Sequence, residues 1–259
     1  MSLGFEAQAV DQASEMLARA RYVVAFTGAG ISAESGIPTY RDTEDSLWRQ
    51  YDPDKFANID YFMRDPSLFW RFFQDVRYQV IRAAEPNPGH RTLAALERAG
   101  RLRAVVTQNI DGLHQEAGSR EVIELHGNTR KIHCLRCQAE YTMEAVYAQL
   151  AEQLPPPCRA CGGTLKPQVV FFGEALPEAA LSRAAREAQR CDLMLAIGSS
   201  LRVYPAAMVP LQAKQNGAGL IIINQAPTPA DLEADLVLRQ PSGEILPRLA
   251  AALDGKHEE

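Results

Sequence analysis

Short apolar runs that end in small or amide residues constrain the fold of this chain more than any other feature. Four runs have this form and are rich in β-forming side chains, over residues 22–26, 102–107, 193–197 and 220–223. A shorter run over 235–238 is a fifth candidate strand. Helical patterns cover residues 6–21, 90–99 and 177–190. Because buried strands that alternate with helices form parallel sheets covered on both faces, the sequence predicts an α/β fold with a Rossmann-like, doubly wound parallel sheet.

Small and polar residues follow each of these runs, and in doubly wound sheets ligands bind beyond the carboxyl ends of the strands. These residues are Gly28, Ala29 and Gly30, then Gln108 and Asn109, then Gly198, Ser199 and Ser200, and finally Asn224 and Gln225. Glycines after a strand let backbone N–H groups approach a pyrophosphate. Ala33 nevertheless stands where the dinucleotide fingerprint has its third glycine. From this turn alone, a nucleotide site and an ordinary strand–helix turn both stay open.

A histidine ends another apolar run, over residues 122–125. His126 precedes Gly127, so its imidazole can project into a cleft. Neutral imidazole suits a general base near pH 7. Taken alone, His126 is better interpreted as a structural histidine.

Two amides and a carboxylate come together after the run over 102–107. Gln108 and Asn109 can recognise a carboxamide through paired donor and acceptor contacts, and Asp111 can orient a ribose hydroxyl or the same carboxamide. Turn capping by Asn and Asp is the competing interpretation, and it is the stronger one from these residues alone.

Four of the five cysteines form two CxxC pairs separated by twenty residues. They are Cys134, Cys137, Cys158 and Cys161. Two such pairs can place four thiolates tetrahedrally around one Zn²⁺, and a closed thiolate shell leaves no position for water. The spacing therefore predicts a structural zinc rather than a catalytic one; a redox pair is the alternative. His133 is a weak competing ligand, and Cys191 is predicted to be a small buried side chain.

The middle of the chain departs from the strand and helix alternation. Residues 128–170 contain both cysteine pairs and a predicted helix near 143–154, and they are interpreted as a zinc-ribbon insert. Residues 42–85 are predicted to form a flexible cofactor loop and a small helical module. The remaining segments, 1–41, 86–127 and 171–259, are assigned to the Rossmann-like domain.

The net charge of −5 argues against a nucleic-acid binder that uses a broad basic field. No apolar run is long enough to span a bilayer, and the first residues do not resemble a secretory signal. We therefore expect a cytoplasmic protein that binds no membrane and no nucleic acid.

Several motifs, in order along residues 15–250, together resemble the sirtuin family. They are GAGISAESGIP over 28–38, TQNIDGLH over 107–114, LHG over 125–127, the two CxxC pairs, KPQVVFFGE over 166–174, GSSL over 198–201, and Asn224. The resemblance implies an NAD-consuming protein lysine deacylase that releases nicotinamide and O-acyl-ADP-ribose. It implies that the acyl-lysine oxygen captures the ribose C1′ as nicotinamide leaves, after which the base promotes attack of a ribose hydroxyl.

The resemblance also assigns roles to individual residues. It makes His126 and Asn109 catalytic, with His126 as the general base. Contacts with NAD are implied for Gly28, Ala29, Gly30, Ser32, Glu34, Tyr40, Arg41, Gln108, Asn109, Ile110, Asp111, His126, Gly198, Ser199, Ser200, Asn224, Gln225 and Ser242. Contacts with an extended acyl-lysine peptide are implied for Gln74, Arg77, Val169, Phe172, Gly173, Glu174 and Val203.

Two departures from the family pattern concern the acyl group. Thr39 stands where many deacetylases have Asp, and Asp42 follows Arg41 where glycine is common. The desuccinylase branch grips a carboxylate with a Tyr-x-x-Arg pair, whereas here Gln74 precedes Arg77 by three residues. We expect deacetylation as the main activity, with desuccinylation second.

Three other functions compete with deacylation. A mono-ADP-ribosyltransferase would use the same scaffold, and a nicotinamide dehydrogenase or a non-catalytic NAD-sensing module would use part of it. The imperfect glycine fingerprint argues against the dehydrogenase, and the presence of both His126 and Asn109 argues against a non-catalytic module.

Overall fold

The computed structural model describes residues 2–39 and 53–254. Its strands, numbered in chain order, are β1 Val23–Thr27, β2 Ala104–Thr107, β3 Val122–Glu124, β4 Gly127–Cys134, β5 Glu140–Thr142, β6 Leu165–Val169, β7 Leu193–Ile197, β8 Gly219–Ile223 and β9 Leu236–Leu238. The longer α-helices are Ser2–Arg19, Pro88–Arg98, Met143–Leu150, Glu178–Arg190, Met208–Gln215 and Ser242–Asp254. Short helices are Pro53–Phe56, Ile59–Arg64, Pro66–Phe72, Tyr78–Ala83 and Leu113–Glu116, with a 3₁₀ helix at Ala29–Ser35 and a π-helix at Phe73–Arg77.

A six-stranded parallel sheet confirms the predicted fold class. Its strand order is β3-β2-β1-β7-β8-β9, and each neighbouring pair is parallel. This is the Rossmann-like order, with the chain crossing from one half of the sheet to the other between β3 and β7. The order reverses at β1 and β7, so the crevice for a ligand lies beyond the ends of these two strands.

Helices cover both faces of this sheet. Three helices, Ser2–Arg19, Pro88–Arg98 and Ser242–Asp254, pack on one face through buried aliphatic side chains. The helices Glu178–Arg190 and Met208–Gln215 pack on the other face mainly through alanines. The strands are therefore apolar except at the carboxyl ends of β1, β2 and β3, where Thr27, Thr107 and Glu124 lie.

A three-stranded antiparallel sheet, in the order β5-β4-β6, forms a second and smaller region. The helix Met143–Leu150 packs against it, and the short helices between residues 53 and 83 contribute to the same core. This core is aromatic, with Trp70 and Phe73 almost completely buried. The helical module and the zinc insert, which the sequence separates by more than forty residues, thus share one hydrophobic core.

The predicted elements differ from the observed ones mainly at their ends. The helix predicted near 143–154 ends at Leu150, ahead of the three consecutive prolines at 155–157. The segment after Gly28 folds as a 3₁₀ helix of seven residues rather than a regular α-helix. The predicted flexible cofactor loop falls largely on residues 40–52, outside the described residues. No helix in the described part of the chain is long and apolar enough to cross a membrane.

Candidate active site

The turns after β1 and β7 pack directly against each other. The Gly28 N–H donates to the Ile197 carbonyl at 3.0 Å, and the Gly30 N–H donates to the Gly198 carbonyl at 2.7 Å. A Cβ on Gly30 would lie 2.7 Å from Gly198 Cα, and Gly198 itself has a φ of +59°. Only residues without a side chain allow two backbones to approach this closely. The glycines therefore open a backbone-lined cradle at the switch point of the sheet.

A buried polar cluster lies next to this cradle. Ser32 Oγ donates to Asp111 Oδ2 at 2.8 Å and accepts from Asn109 Nδ2 at 3.0 Å. All three residues are less than 10% exposed. Asp111 Oδ1 accepts the Leu113 N–H at 2.9 Å, so Asp111 also closes the turn that leads into the short helix Leu113–Glu116. Asp111 thus stabilises a turn, as the competing interpretation predicts, and it also belongs to the polar cluster.

Two histidines extend the cluster into the core. His90 lies at the start of the helix Pro88–Arg98, as its sequence context predicts, and its Nε2 is 3.4 Å from Ser32 Oγ. Burial lowers the pKa of His90 to about 4, against the opposing charge of Asp111. His114 Nε2 lies 2.9 Å from Thr27 Oγ1, and burial lowers the pKa of His114 to about 3. Both rings are therefore neutral at physiological pH.

His126 is held in one defined tautomer. Its Nδ1 lies 3.0 Å from the Gln108 carbonyl oxygen, which can only accept, so Nδ1 carries the proton. Nε2 of the neutral ring therefore keeps its lone pair for an incoming proton. Burial lowers the pKa of His126 below its ordinary value, and the hydrogen bond to Gln108 opposes that shift. A neutral ring with a free basic nitrogen is what a general base requires.

His126 also lies where the two sheets meet. Before it, the Leu125 N–H donates to the Thr107 carbonyl of the parallel sheet; after it, Gly127 pairs with Val169 in the antiparallel sheet. Gly127 has a φ of +74°, and a Cβ there would lie 1.8 Å from the Gln168 carbonyl oxygen. Glycine is therefore required for the chain to pass from one sheet to the other at this point.

Gln108 connects His126 to the turn after β7, where Ser199 and Ser200 are predicted to contact NAD. Its Nε2 donates to Ser199 Oγ at 2.8 Å, and Ser199 also accepts the Leu201 N–H. Ser199 is 4% exposed and Ser200 is half-buried. The turns after β1, β2 and β7, together with His126, thus form one continuous surface. Ala29, Ile110 and Gly198 lie in the same turns.

The remaining predicted cofactor contacts lie along the same edge of the sheet. Asn224 and Gln225 follow β8, and Ser242 begins the last helix. Glu34 accepts the Gly243 N–H at 2.7 Å and the Ser242 hydroxyl at 3.3 Å, so it links the first turn to the last helix. Tyr40 and Arg41 lie outside the described residues.

Four of the predicted peptide contacts, Val169, Phe172, Gly173 and Glu174, lie in one segment, residues 169–174, which we call the platform. It starts at the end of β6, and Val170 donates its N–H to the His126 carbonyl at 2.9 Å. Phe172 is 44% exposed, and Val203, on the loop after β7, is 39% exposed. Exposed apolar side chains at these two positions suit an extended peptide.

Gln74 and Arg77 lie in the π-helix Phe73–Arg77. Arg77 lines a cavity together with the apolar residues Ile37, Pro38, Phe72, Val76, Val80 and Ile81. Gln74 is half-buried and is not among the lining residues. Of the expected acyl-binding pair, therefore, only Arg77 borders the cavity.

The four cysteine sulfurs lie within 4.8 Å of one another. The Sγ atoms of Cys134 and Cys161 are 3.5 Å apart, and those of Cys137 and Cys158 are 3.6 Å apart. A tetrahedral zinc with Zn–S bonds of about 2.3 Å requires sulfurs about 3.8 Å apart, so the donor set and its dimensions fit Zn²⁺. His133 is not part of this group. Cys191 is buried, as predicted, and belongs to the core between the parallel sheet and the helix Glu178–Arg190.

Sequence reasoning did not identify Thr27, Thr107 or Lys166 as part of this site. Thr27 and Thr107 join their hydroxyls at 2.8 Å beneath the polar cluster. Lys166 is buried under the platform. A polar residue at the end of an apolar strand, or a lysine within a buried one, is the signal that could have found them.

Comparison with known proteins agrees with this geometry. The model of the Sir2 family matches residues 28–205. A protein of Archaeoglobus fulgidus named NAD-dependent protein deacylase 2 is 48% identical over 241 residues, which are 93% of this chain and 94% of that protein. The NAD-dependent protein deacetylase of Sulfurisphaera tokodaii is 49% identical over 238 residues, or 92% and 93% of the two chains.

Solved structures show the same similarity. A Sir2 protein in complex with a p53 peptide and NAD⁺ matches with a TM-score of 0.86 at 41% identity, covering 94% of this chain and 97% of that one. A Sir2 protein bound to a myristoylated histone peptide matches with a TM-score of 0.82 at 40% identity, covering 97% and 99%. This chain therefore belongs to the Sir2 family and is an NAD-dependent protein deacylase with an NAD site and a structural zinc site.

Proposed function

We propose that this protein removes acetyl groups in preference to larger or charged acyl groups from lysine side chains, with His126 as the general base and Asn109 as the second catalytic residue. The observation that carries the proposal is the tautomer of His126. Its Nδ1 proton is committed to the Gln108 carbonyl, which leaves the Nε2 lone pair available to accept a proton.

NAD is consumed in this reaction, and its ribose carbon becomes electrophilic when nicotinamide leaves. The backbone around Gly28, Ala29, Gly30 and Gly198 would hold the pyrophosphate, with the hydroxyls of Ser199 and Ser200 beside it. The fit rests on the cradle itself, because a Cβ at Gly28 would lie 2.9 Å from the Gly198 carbonyl and fill the space. Asn224, Gln225 and Ser242 would meet the adenosine half. Contacts with the cofactor are also proposed for Tyr40 and Arg41.

The residues near the reacting carbon have separate tasks. Asn109 and Asp111, with Ile110, would line the nicotinamide pocket, and Ser32 keeps both polar side chains in place through two hydrogen bonds. His126 would accept a proton from a ribose hydroxyl at Nε2 and so promote attack on the bound acyl group. Gln108 holds the His126 ring with its carbonyl and Ser199 with its amide.

The acylated lysine would arrive on an extended peptide beside the platform and Val203. A peptide in this conformation adds a strand to an exposed edge and uses pockets for alternate side chains. Exposed Phe172 and Val203 would contact the peptide side chains, and Gly173 and Glu174 complete the turn. The fold divides accordingly into the Rossmann-like domain for NAD and the two inserts for the peptide.

The preference for acetyl over succinyl rests on the cavity at Arg77. Its lining is otherwise apolar, which favours a small neutral acyl group, and the partner that a carboxylate-binding pair needs at position 74 is a glutamine outside the lining. An arginine can still bind a carboxylate bidentately, so succinyl-lysine is the second substrate.

An acyl-peptide panel tests this proposal. One peptide sequence carrying acetyl-, succinyl- or myristoyl-lysine is incubated with NAD, and mass spectrometry follows O-acyl-ADP-ribose and nicotinamide. We expect the highest kcat/KM for acetyl-lysine. In Arg77→Ala the succinyl rate falls while the acetyl rate stays, and Arg82→Ala, which removes an exposed cation nearby, serves as the control.

Other outcomes of the panel contradict the proposal in different ways. A succinyl preference that disappears in Arg77→Ala would reverse the order of substrates. ADP-ribose attached to protein, without O-acyl-ADP-ribose, would indicate a mono-ADP-ribosyltransferase instead.

A reducing, cytoplasmic location is part of the proposal. All five cysteines are outside disulfide bonds, and four of them form the thiolate set for zinc. Such sets are typical of reducing compartments.

A further inference from the structure

Lys166 is a buried lysine directly beneath the platform. It lies on β6, and its side chain is only 4% exposed. Its Nζ lies 2.7 Å from the Val169 carbonyl oxygen and 2.9 Å from Glu174 Oε2, with the Pro167 carbonyl at 3.4 Å. The three ammonium protons thus have three acceptors. The ammonium also lies 4.2 Å from the centre of the Phe171 ring, within the range of a cation–π interaction.

Glu174 uses the same carboxylate oxygen to fix the turn of the platform. Its Oε2 accepts the Phe171 N–H at 2.7 Å, and its own N–H donates to the Phe171 carbonyl at 3.0 Å. Gly173, between them, has a φ of +90°. This closed turn holds Phe172 at its exposed corner.

The turn is connected to both neighbouring parts of the site. Phe172 donates its N–H to the Ala57 carbonyl at 2.7 Å and accepts the Ile59 N–H at 3.0 Å. At the other end of the platform, Val170 is bonded to the His126 carbonyl. A shift of the platform would therefore alter the peptide edge and leave the glycine cradle, on the other sheet, in place.

Stability alone gives no reason for a charged pair here. A buried ion pair is often no more stable than apolar side chains of similar volume, because desolvation offsets the attraction. Its hydrogen bonds are directional, however, and those of Lys166 join the end of β6 to the turn at Glu174.

We propose that Lys166 and Glu174 are positioning residues for the acylated peptide, setting the spacing between Val169 and Phe172 without contacting the peptide themselves. This inference rests on the proposed function in one respect: the peptide is taken to lie along residues 169–174. It assigns Lys166 a role in peptide binding, and it makes the contribution of Glu174 an indirect one, through the position of the platform.

The test compares the two substrates of one reaction. In Lys166→Met and Glu174→Ala, we expect KM for an acetyl-lysine peptide to rise about tenfold or more, because a small misplacement of binding groups is costly. KM for NAD should change by less than about twofold, since neither substitution alters the glycine cradle that is proposed to bind NAD. Glu174→Gln keeps an acceptor for the Phe171 N–H, so it should retain most of the peptide affinity.

A double variant and a control complete the design. Lys166→Met combined with Glu174→Ala should be little worse than Glu174→Ala alone, because that variant has already lost the contact between Lys166 and Glu174. Lys214→Met is the matched control, since Lys214 pairs with Asp235 at 2.6 Å far from the platform. It should leave both KM values unchanged. Circular dichroism and zinc content establish that each variant is folded.

Two results would overturn the inference. One is an unchanged peptide KM in a folded, zinc-loaded Lys166→Met; the other is an equal rise in KM for peptide and NAD. Titration of a fluorescent acetyl-lysine peptide by anisotropy gives the same comparison without turnover. If the wild-type protein makes no O-acyl-ADP-ribose but Lys166→Met still weakens this titration, the proposed reaction fails while the positioning role stands.

Discussion

The parallel sheet and the antiparallel sheet of this protein both carry residues of the candidate active site, but they are stabilised by different means. The parallel sheet has six strands buried between two layers of helices. The antiparallel sheet has three strands, one helix and an aromatic core shared with the helical module. Its far end is held by four cysteines that have the dimensions of a zinc site.

This difference separates two kinds of contribution to the site. The parallel sheet supplies backbone geometry, with the Gly30 N–H bonded to the Gly198 carbonyl at 2.7 Å and the Gly28 N–H bonded to the Ile197 carbonyl at 3.0 Å. The antiparallel sheet supplies an edge and a turn, both joined to His126 through Gly127 and Val170. The smaller region is expected to depend on its metal, and the larger one is not.

Loss of zinc should have the largest effect. In Cys134→Ser combined with Cys137→Ser, we expect zinc to fall from one ion per chain to none and deacylation to fall below detection. Structural zinc contributes about 10 kcal/mol or more to the folding of small domains, which the short sheet cannot replace. Metal analysis, limited proteolysis and nicotinamide release measure the three quantities.

The double cysteine variant also tests the comparison itself. Proteolysis should cut within residues 128–170 and leave the parallel sheet protected. Cys191→Ser, which lies outside the zinc set, serves as the control. Equal loss of protection from proteolysis in both sheets would show that the zinc site stabilises the parallel sheet as much as the antiparallel one.

Removal of the His126 imidazole should have the second largest effect. His126→Ala is expected to lower kcat for deacylation about 100- to 10,000-fold, the usual range for a general base. Exchange of labelled nicotinamide into NAD should persist, because the base acts after nicotinamide leaves. If exchange were lost to the same extent as deacylation, His126 would act earlier than proposed.

Two glycine substitutions should separate the two substrates. Gly30→Ala places a Cβ 2.7 Å from Gly198 Cα, and we expect KM for NAD to rise about tenfold. Gly173→Ala strains a residue with a φ of +90° beside Ile59, and KM for the peptide should rise instead. Steady-state kinetics with each substrate varied in turn measures both.

The control for these variants is Gly100→Ala. Gly100 has a φ of +70° and open space around it, so it reproduces the backbone strain away from the site. Parallel changes of both KM values in Gly30→Ala and Gly173→Ala would contradict the separation of roles.

The pH dependence should show the smallest effect. Burial lowers the pKa of His126 below 6.5, and in the proposed role of general base the neutral ring is the active form. kcat/KM should therefore be constant above pH 6.5 and fall about tenfold per unit once the pH drops below the lowered pKa. His90 and His114, with pKa values of about 4 and 3, stay neutral through this range. An acid limb centred above pH 6.5 would contradict the assignment.

The sequence by itself determined the parallel sheet and the metal ligands. The central strands are buried on both faces, so each one is a continuous apolar run that can be recognised without knowing which elements pack against it. The CxxC spacing likewise brings each pair of sulfurs together locally. His126 was different: the catalytic role proposed for it rests on the family motifs and on no property of its own segment.

Tertiary structure alone decided how the two inserts meet and what lies beneath the platform. Trp70 and Ile132 share a core although more than sixty residues separate them, and no local period encodes that contact. The tautomer of His126 depends on the Gln108 carbonyl, eighteen positions earlier in the chain. The contacts of Lys166 were also decided by the tertiary structure, because a lysine within an apolar strand is visible in the sequence but the carboxylate and carbonyl groups around its ammonium are not.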